Sequence, residues 1–158
     1  MGFKRFQLNC TKVNGCDVDD LPSRAGNLKD VMDEFPFAEF IMQRSEETMD
    51  LCLSLESLNP SNMSFLFDES KGRGVTAEEY RKAPDTFKVG YAGGINPGNI
   101  AAVLSKVLKA GEGKSVYMDM ESGIRTNVDG KDSFDLAKCY DCVEEICAAG
   151  LFVWRDRK

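Results

Sequence analysis

Four short apolar runs in this chain end in residues able to do chemistry. Gln43 and Arg44 follow "FAEFIM", Asp68 and Glu69 follow "MSFLF", Gly93 and Gly94 follow "VGYA", and Asp119, Glu121, Ser122 and Gly123 lie at the end of "SVYMDM" and just beyond it. A fifth run, "KRFQL", leads into Asn9 and Cys10. A carboxyl group such as that of Asp68 can donate a proton at neutral pH only if burial or a second carboxylate raises its pKa from about 4. Glu69, Asp119 and Glu121 are candidates for that neighbour. Adjacent glycines serve a different chemistry. Gly93 and Gly94 have no Cβ, so backbone N–H groups there can come close to an oxyanion, and a helix starting near Pro97 would turn its positive end the same way. With Ser122 and Gly123 supplying a second small-residue turn one unit later, the four residues read as a phosphate cradle.

Such residues converge only if the elements beneath them run side by side. The β-prone runs are 4–9, 37–43, 63–68, 87–92 and 115–120, and helical patterns occupy 25–35, 45–58, 76–83, 96–111 and 133–150. Ser45, Asn96 and Ser133 read as helix starts, and Gly111 and Gly150 as stops. From the second strand onward the runs begin 26, 24 and 28 residues apart, the spacing of one strand and one crossover helix. The fold class is therefore α/β with parallel β-α units, and two architectures fit: a (β/α)8 barrel, incomplete at about five strands, or an open doubly wound sheet. Both bind ligands at the carboxyl ends of their strands.

Composition narrows the partners. The chain has 158 residues, 42% hydrophobic and 29% charged, with a formal net charge of −6, as expected of one globular domain without a broad basic face for nucleic acid. No apolar run approaches the roughly 20 residues needed to span a bilayer, and the opening "MGFKRFQLNC" has no apolar signal core, so a cytoplasmic protein is expected. The partner expected is a small metabolite or a second copy of the chain. The six cysteines read as reduced thiols. In "FDLAKCYDCVEEICAAG" the apolar residues, Cys139 and Cys147 among them, recur at helical intervals and are expected to face the core. No metal or other cofactor is expected, since the chain has no histidine and Cys10 and Cys16 do not form a tight pair.

The segments "FLFDESKGRG", "VGYAGGINPGNI" and "VYMDMESGIRTNVDGKDSFDLAK" together resemble the sixth, seventh and eighth βα units of phosphoribosylanthranilate isomerase, a barrel enzyme of tryptophan biosynthesis. That family shows A-G-G-L-x-P-x-N-V, then D-V-S-S-G-V-E, then K-D before the last helix. The resemblance spans residues 63 to 138 and implies an aldose-to-ketose (Amadori) isomerisation of a phosphorylated sugar. It implies Asp68 as the general acid, Asp119 as a contact to substrate hydroxyls, and Gly93, Gly94, Ser122 and Gly123 as the phosphate grip. The family's basic cysteine, in a K-I-C-G strand, has no counterpart here. Cys10 is the only thiol at a strand end, and Arg73 and Arg125 are candidates for an anionic substrate group. At about 26 residues per unit the chain supplies five to six units, too few to close a barrel of eight. The chain is thus expected to be part of a longer product, an open sheet, or a homo-oligomer whose copies cover each other's edges. The alternative function is a phosphate-ligand binding module, or an oligomeric scaffold, without the catalytic base.

Overall fold

The computed structural model describes residues 2–68 and 76–150. Among them the chain is α/β, with a parallel sheet of five strands: β1 Arg5–Leu8, β2 Glu39–Arg44, β3 Met63–Asp68, β4 Lys88–Ala92 and β5 Val116–Asp119. They lie in the order β1-β2-β3-β4-β5, without the reversal that defines a doubly wound sheet. Four α-helices accompany them: α1 Ala25–Glu34, α2 Met49–Leu58, α3 Ile100–Gly111 and α4 Leu136–Ala148. The chain falls into two compact units, Met1–Asp68 with Ala83–Gly90, and Glu69–Lys82 with Tyr91–Lys158.

In the first unit the ladder runs from Arg5↔Glu39 to Leu8↔Met42 and from Phe40↔Met63 to Arg44↔Phe67. From Met63 to Phe67 β3 is buried throughout, which explains why its sequence is a continuous apolar run and not an alternating one. Met32 of α1 and Leu51, Cys52 and Leu55 of α2 complete this core with Met42 and Phe65, all at most 1% exposed. Helix α2 begins at Met49, four residues after the expected cap at Ser45. Thr48 determines that start, because its hydroxyl donates to the carbonyl of Gln43 at 2.7 Å and accepts from the Ser45 amide at 2.9 Å. The helix ends at Asn59, in a left-handed conformation (φ 48°).

The second unit holds the larger departures from expectation. Residues 76–83 form no helix, although "TAEEYRKA" has the composition of one. The Lys106 ammonium donates to the Glu78 carbonyl at 3.0 Å and the Tyr91 hydroxyl to the Arg81 carbonyl at 2.8 Å, so tertiary donors take acceptors that a helix would use itself. Helix α3 begins at Ile100, four residues after the expected cap at Asn96, and buries Ile100, Val103 and Val107 along one face. It is followed by Glu112, also left-handed (φ 48°).

Between β5 and α4 stands an antiparallel hairpin that the strand count did not include. It consists of β6 Arg125–Val128 and β7 Lys131–Phe134, joined by a two-residue Asp129-Gly130 loop. Ser133 pairs within that hairpin, and Asp135 caps α4 instead, its Oδ1 accepting from the amides of Ala137 (3.0 Å) and Lys138 (3.3 Å). The helix does not bury the apolar stripe its periodicity suggested. Leu136, Tyr140 and Val143 are exposed, as is Cys147, and Cys142 is the buried residue of α4. Among the six free cysteines only Cys52 and Cys142 are core-facing.

Candidate functional site at the strand carboxyl ends

In the first unit, side chains organise the strand ends. Alternation along β2 sends Arg44 and Gln43 to opposite faces. Arg44 lies on the α2 side, where its Nη1 meets Glu56 at 2.7 Å and its guanidinium carbon lies 5.1 and 5.7 Å from the ring centroids of Phe65 and Phe67. Its side chain is 13% exposed, and its buried Nε has no hydrogen-bond partner among the described residues. On the opposite face Gln43 donates to the Asp68 carboxylate at 3.2 Å. Asp68 thus stands at the carboxyl end of β3 with an amide donor from β2, while Glu69 and Arg73, expected beside it, fall outside the described residues.

Cys10 lies two residues beyond the end of β1. Burial, and after it the neighbouring Cys16, raise its thiol above the usual cysteine value, so the two cysteines that the sequence keeps apart are neighbours in space. The Cys52 thiol is pushed up to about 11, chiefly by burial, although Thr48 and Arg44 act in the opposite direction. A proton-abstracting cysteine needs the reverse influence, a nearby cation that favours the thiolate.

In the second unit, backbone and amide side chains organise the ends. Gly93 and Gly94 have φ values of 112° and 61°, a consecutive pair of left-handed residues that no pair with Cβ atoms would adopt without strain. Three donors hold the Gly94 carbonyl: Asn99 Nδ2 at 2.9 Å, Asn96 Nδ2 at 3.1 Å and Thr76 Oγ1 at 3.3 Å. Asn96 also accepts from the Gly98 amide, and Asn99 from the Asn96 amide, both at 2.9 Å. Asn96, which reads as a helix start, therefore fastens the glycine turn together with Asn99.

The second glycine turn meets the first. A Cβ added to Gly123 would lie 1.9 Å from the carbonyl oxygen of Ile95 and 3.0 Å from Asn96 Cβ. Ser122 and Gly123 belong to a short 3₁₀ turn, Ser122–Ile124, that begins three residues after Asp119 at the end of β5. Gly93, Gly94, Ser122 and Gly123 thus belong to two touching turns, but Gly123 is glycine first because backbone passes through the space of its missing side chain. Arg125, expected to reach toward a ligand, pairs with Asp132 across the hairpin at 2.7 Å.

Glu56, the partner of Arg44, and Thr48 are the organising residues that motif reading passed over. The only sequence signal for them was an arginine closing an otherwise apolar strand. Among the described residues no group of three His, Cys, Asp or Glu side chains is placed to hold a metal, and no helix is long and apolar enough to cross a membrane. The chain matches no protein-family model, no curated protein and no solved structure.

Proposed function

We propose that the chain binds a small phosphorylated ligand, of the phosphosugar class, at the carboxyl ends of its strands, in the manner of a phosphoribosylanthranilate isomerase-like (β/α) protein. The observation that carries this reading is the close approach of Gly123 to Ile95. It joins two glycine turns into one constellation, and the three donors on Gly94 hold one of them in a left-handed backbone conformation before any ligand arrives. Sequential strand order, as in barrel winding, also supports it.

One observation favours binding over turnover. Cys10, the sole thiol candidate for the base, sits in surroundings that keep it protonated. Asp68 remains the general-acid candidate if there is isomerase chemistry.

Calorimetric titration with ribose 5-phosphate tests the reading. Binding by the parent chain and its loss in Gly94→Val, with the fold retained by circular dichroism, is the expected result. Equal affinity in both proteins would remove the cradle. Asp68→Asn separates the two functions: it should leave affinity within a few-fold while lowering any isomerase turnover by roughly 10²–10⁴.

A further inference from the structure

At the opposite end of the first unit's strands lies a cavity of about 430 Å³, within the size range of small-molecule pockets. It lies within that unit and is lined by Lys4, Arg5, Phe37, Glu39, Asn62 and Lys88, among others. Parallel pairing accounts for the cluster, because Arg5, Glu39 and Lys88 are the first residues of β1, β2 and β4, and their side chains collect at one end of the sheet.

The charge here is opposite in sign to that of the chain as a whole. Three cations line the cavity with one carboxylate, in a protein of net charge −6. That carboxylate is already engaged, since Arg5 Nε donates to Glu39 at 2.8 Å. Burial acts to raise the Glu39 pKa, but the Ser64 hydroxyl nearby, the Arg5 hydrogen bond and the charges of Arg5 and Lys88 outweigh it and hold the group ionised below its ordinary value. Lys4 and Lys88 have no ion-pair partner among the described residues.

The wall of the cavity is fixed before any ligand binds. The Asn62 amide nitrogen donates to three carbonyls, those of Met32 (2.9 Å), Phe35 (3.1 Å) and Ala38 (2.9 Å), and so clamps the turn between α1 and β2 that carries Phe37. We propose that this cavity is a second anion site, built for a small phosphate-bearing polyanion of about pyrophosphate size and separate from the glycine turns. Two unpaired ammonium groups call for at least two negative charges on the ligand. They also favour a compact, highly charged phosphate over a dicarboxylate, because ammonium groups bind as point charges and respond to charge density, while the one guanidinium in the cavity, suited to planar bidentate contacts, already faces Glu39.

The probe is inorganic pyrophosphate, titrated into the isotope-labelled full chain and followed by amide chemical shifts. Shifts at Phe37, Asn62 and Lys88 are expected, with affinity falling as salt rises. Lys88→Glu should weaken this binding by at least about tenfold, and Lys4→Glu provides the same test should the first variant fold poorly. Glu39→Gln should tighten it, because a negative charge leaves the cavity. Succinate, a dianion without phosphoryl oxygens, should bind more weakly. Shifts confined to residues 93–94 and 122–123, pyrophosphate affinity unchanged in both lysine variants, or equal affinity for succinate would each overturn the proposal. Gly94→Val should leave these shifts intact, so failure here is distinguishable from failure of the glycine cradle.

Discussion

The strand ends of the two units are held by different means. At the ends of β2 and β3 the fixing groups are side chains: the Thr48 hydroxyl, the Arg44–Glu56 pair and the Gln43 amide on Asp68. Beyond β4 and β5 side chains fasten the Gly94 carbonyl, but the decisive feature is an absence: Gly93 and Gly94 take left-handed conformations, and the two turns fit together because Gly123 lacks a Cβ. A side-chain network can lose one member and still have water or neighbours supply part of the missing bond. A backbone contact of 1.9 Å to a would-be Cβ allows no partial answer. The first arrangement should degrade gradually on substitution and the second abruptly.

Gly123→Val should therefore have the largest effect. Its Cβ would have to displace the Ile95 carbonyl, at a cost of about 3 kcal/mol, the upper end for overpacking. Urea denaturation checks this, and parent-like stability would mean that the turns can part cheaply, which would dissolve the contrast.

Next comes the side-chain end. Glu56→Gln leaves the mostly buried Arg44 guanidinium short of its counter-charge, and about 2 kcal/mol should be lost, less than for a fully buried pair because Glu56 is 23% exposed. Thr48→Val, which removes one hydroxyl with two backbone bonds, should cost about 1 kcal/mol. The contrast sharpens if both fall well below Gly123→Val in the same denaturant series.

The smallest effect concerns pH. The Asp135 carboxyl is held below its usual 3.8 by the hydrogen bond from Thr126, then by the amides of Lys138 and Ala137. Its folded-state pKa is depressed, so its contribution is fully present above the unfolded-state value and is lost as pH falls through the lower, folded-state value. Melting temperature followed through that acid range should fall less steeply in Asp135→Asn than in the parent. Parallel curves would show that the cap does not couple to protonation.

Much of this architecture was legible because strands here are apolar runs with clear ends. Each of the five runs became a strand within about two residues of its expected limits, since burial on a sheet is a local demand that "MSFLF" or "VGYA" meets alone. What sequence missed was settled by partners far along the chain. The 76–83 segment has helical composition, but Lys106 and Tyr91 claim its carbonyls. The hairpin was signalled by its Asp129-Gly130 loop, yet its strands are too polar to register as apolar runs. At the candidate site Gly93 and Gly94 were legible as a turn that needs bare backbone, and Asp68 as a strand-terminal carboxylate. The Gly123–Ile95 contact, the pairing of Arg125 with Asp132 and the nearness of Cys16 to Cys10 were not, because none leaves a trace in spacing.

The left-handed residues that follow α2 and α3 bear on how this chain can change over generations. Asn59 tolerates that conformation well, but Glu112 does not, and its carboxylate also sits at the negative end of a helix, a position only partly eased by the ion pair with Lys82 at 2.8 Å. Glutamate and glycine codons differ by a single nucleotide, so relief worth about 1 kcal/mol lies one point mutation away. A lineage that takes that step gains mutational headroom at the far end of α3 from the glycine turns, enough to offset a strand-end loss of the size expected for Thr48→Val but not that of Gly123→Val.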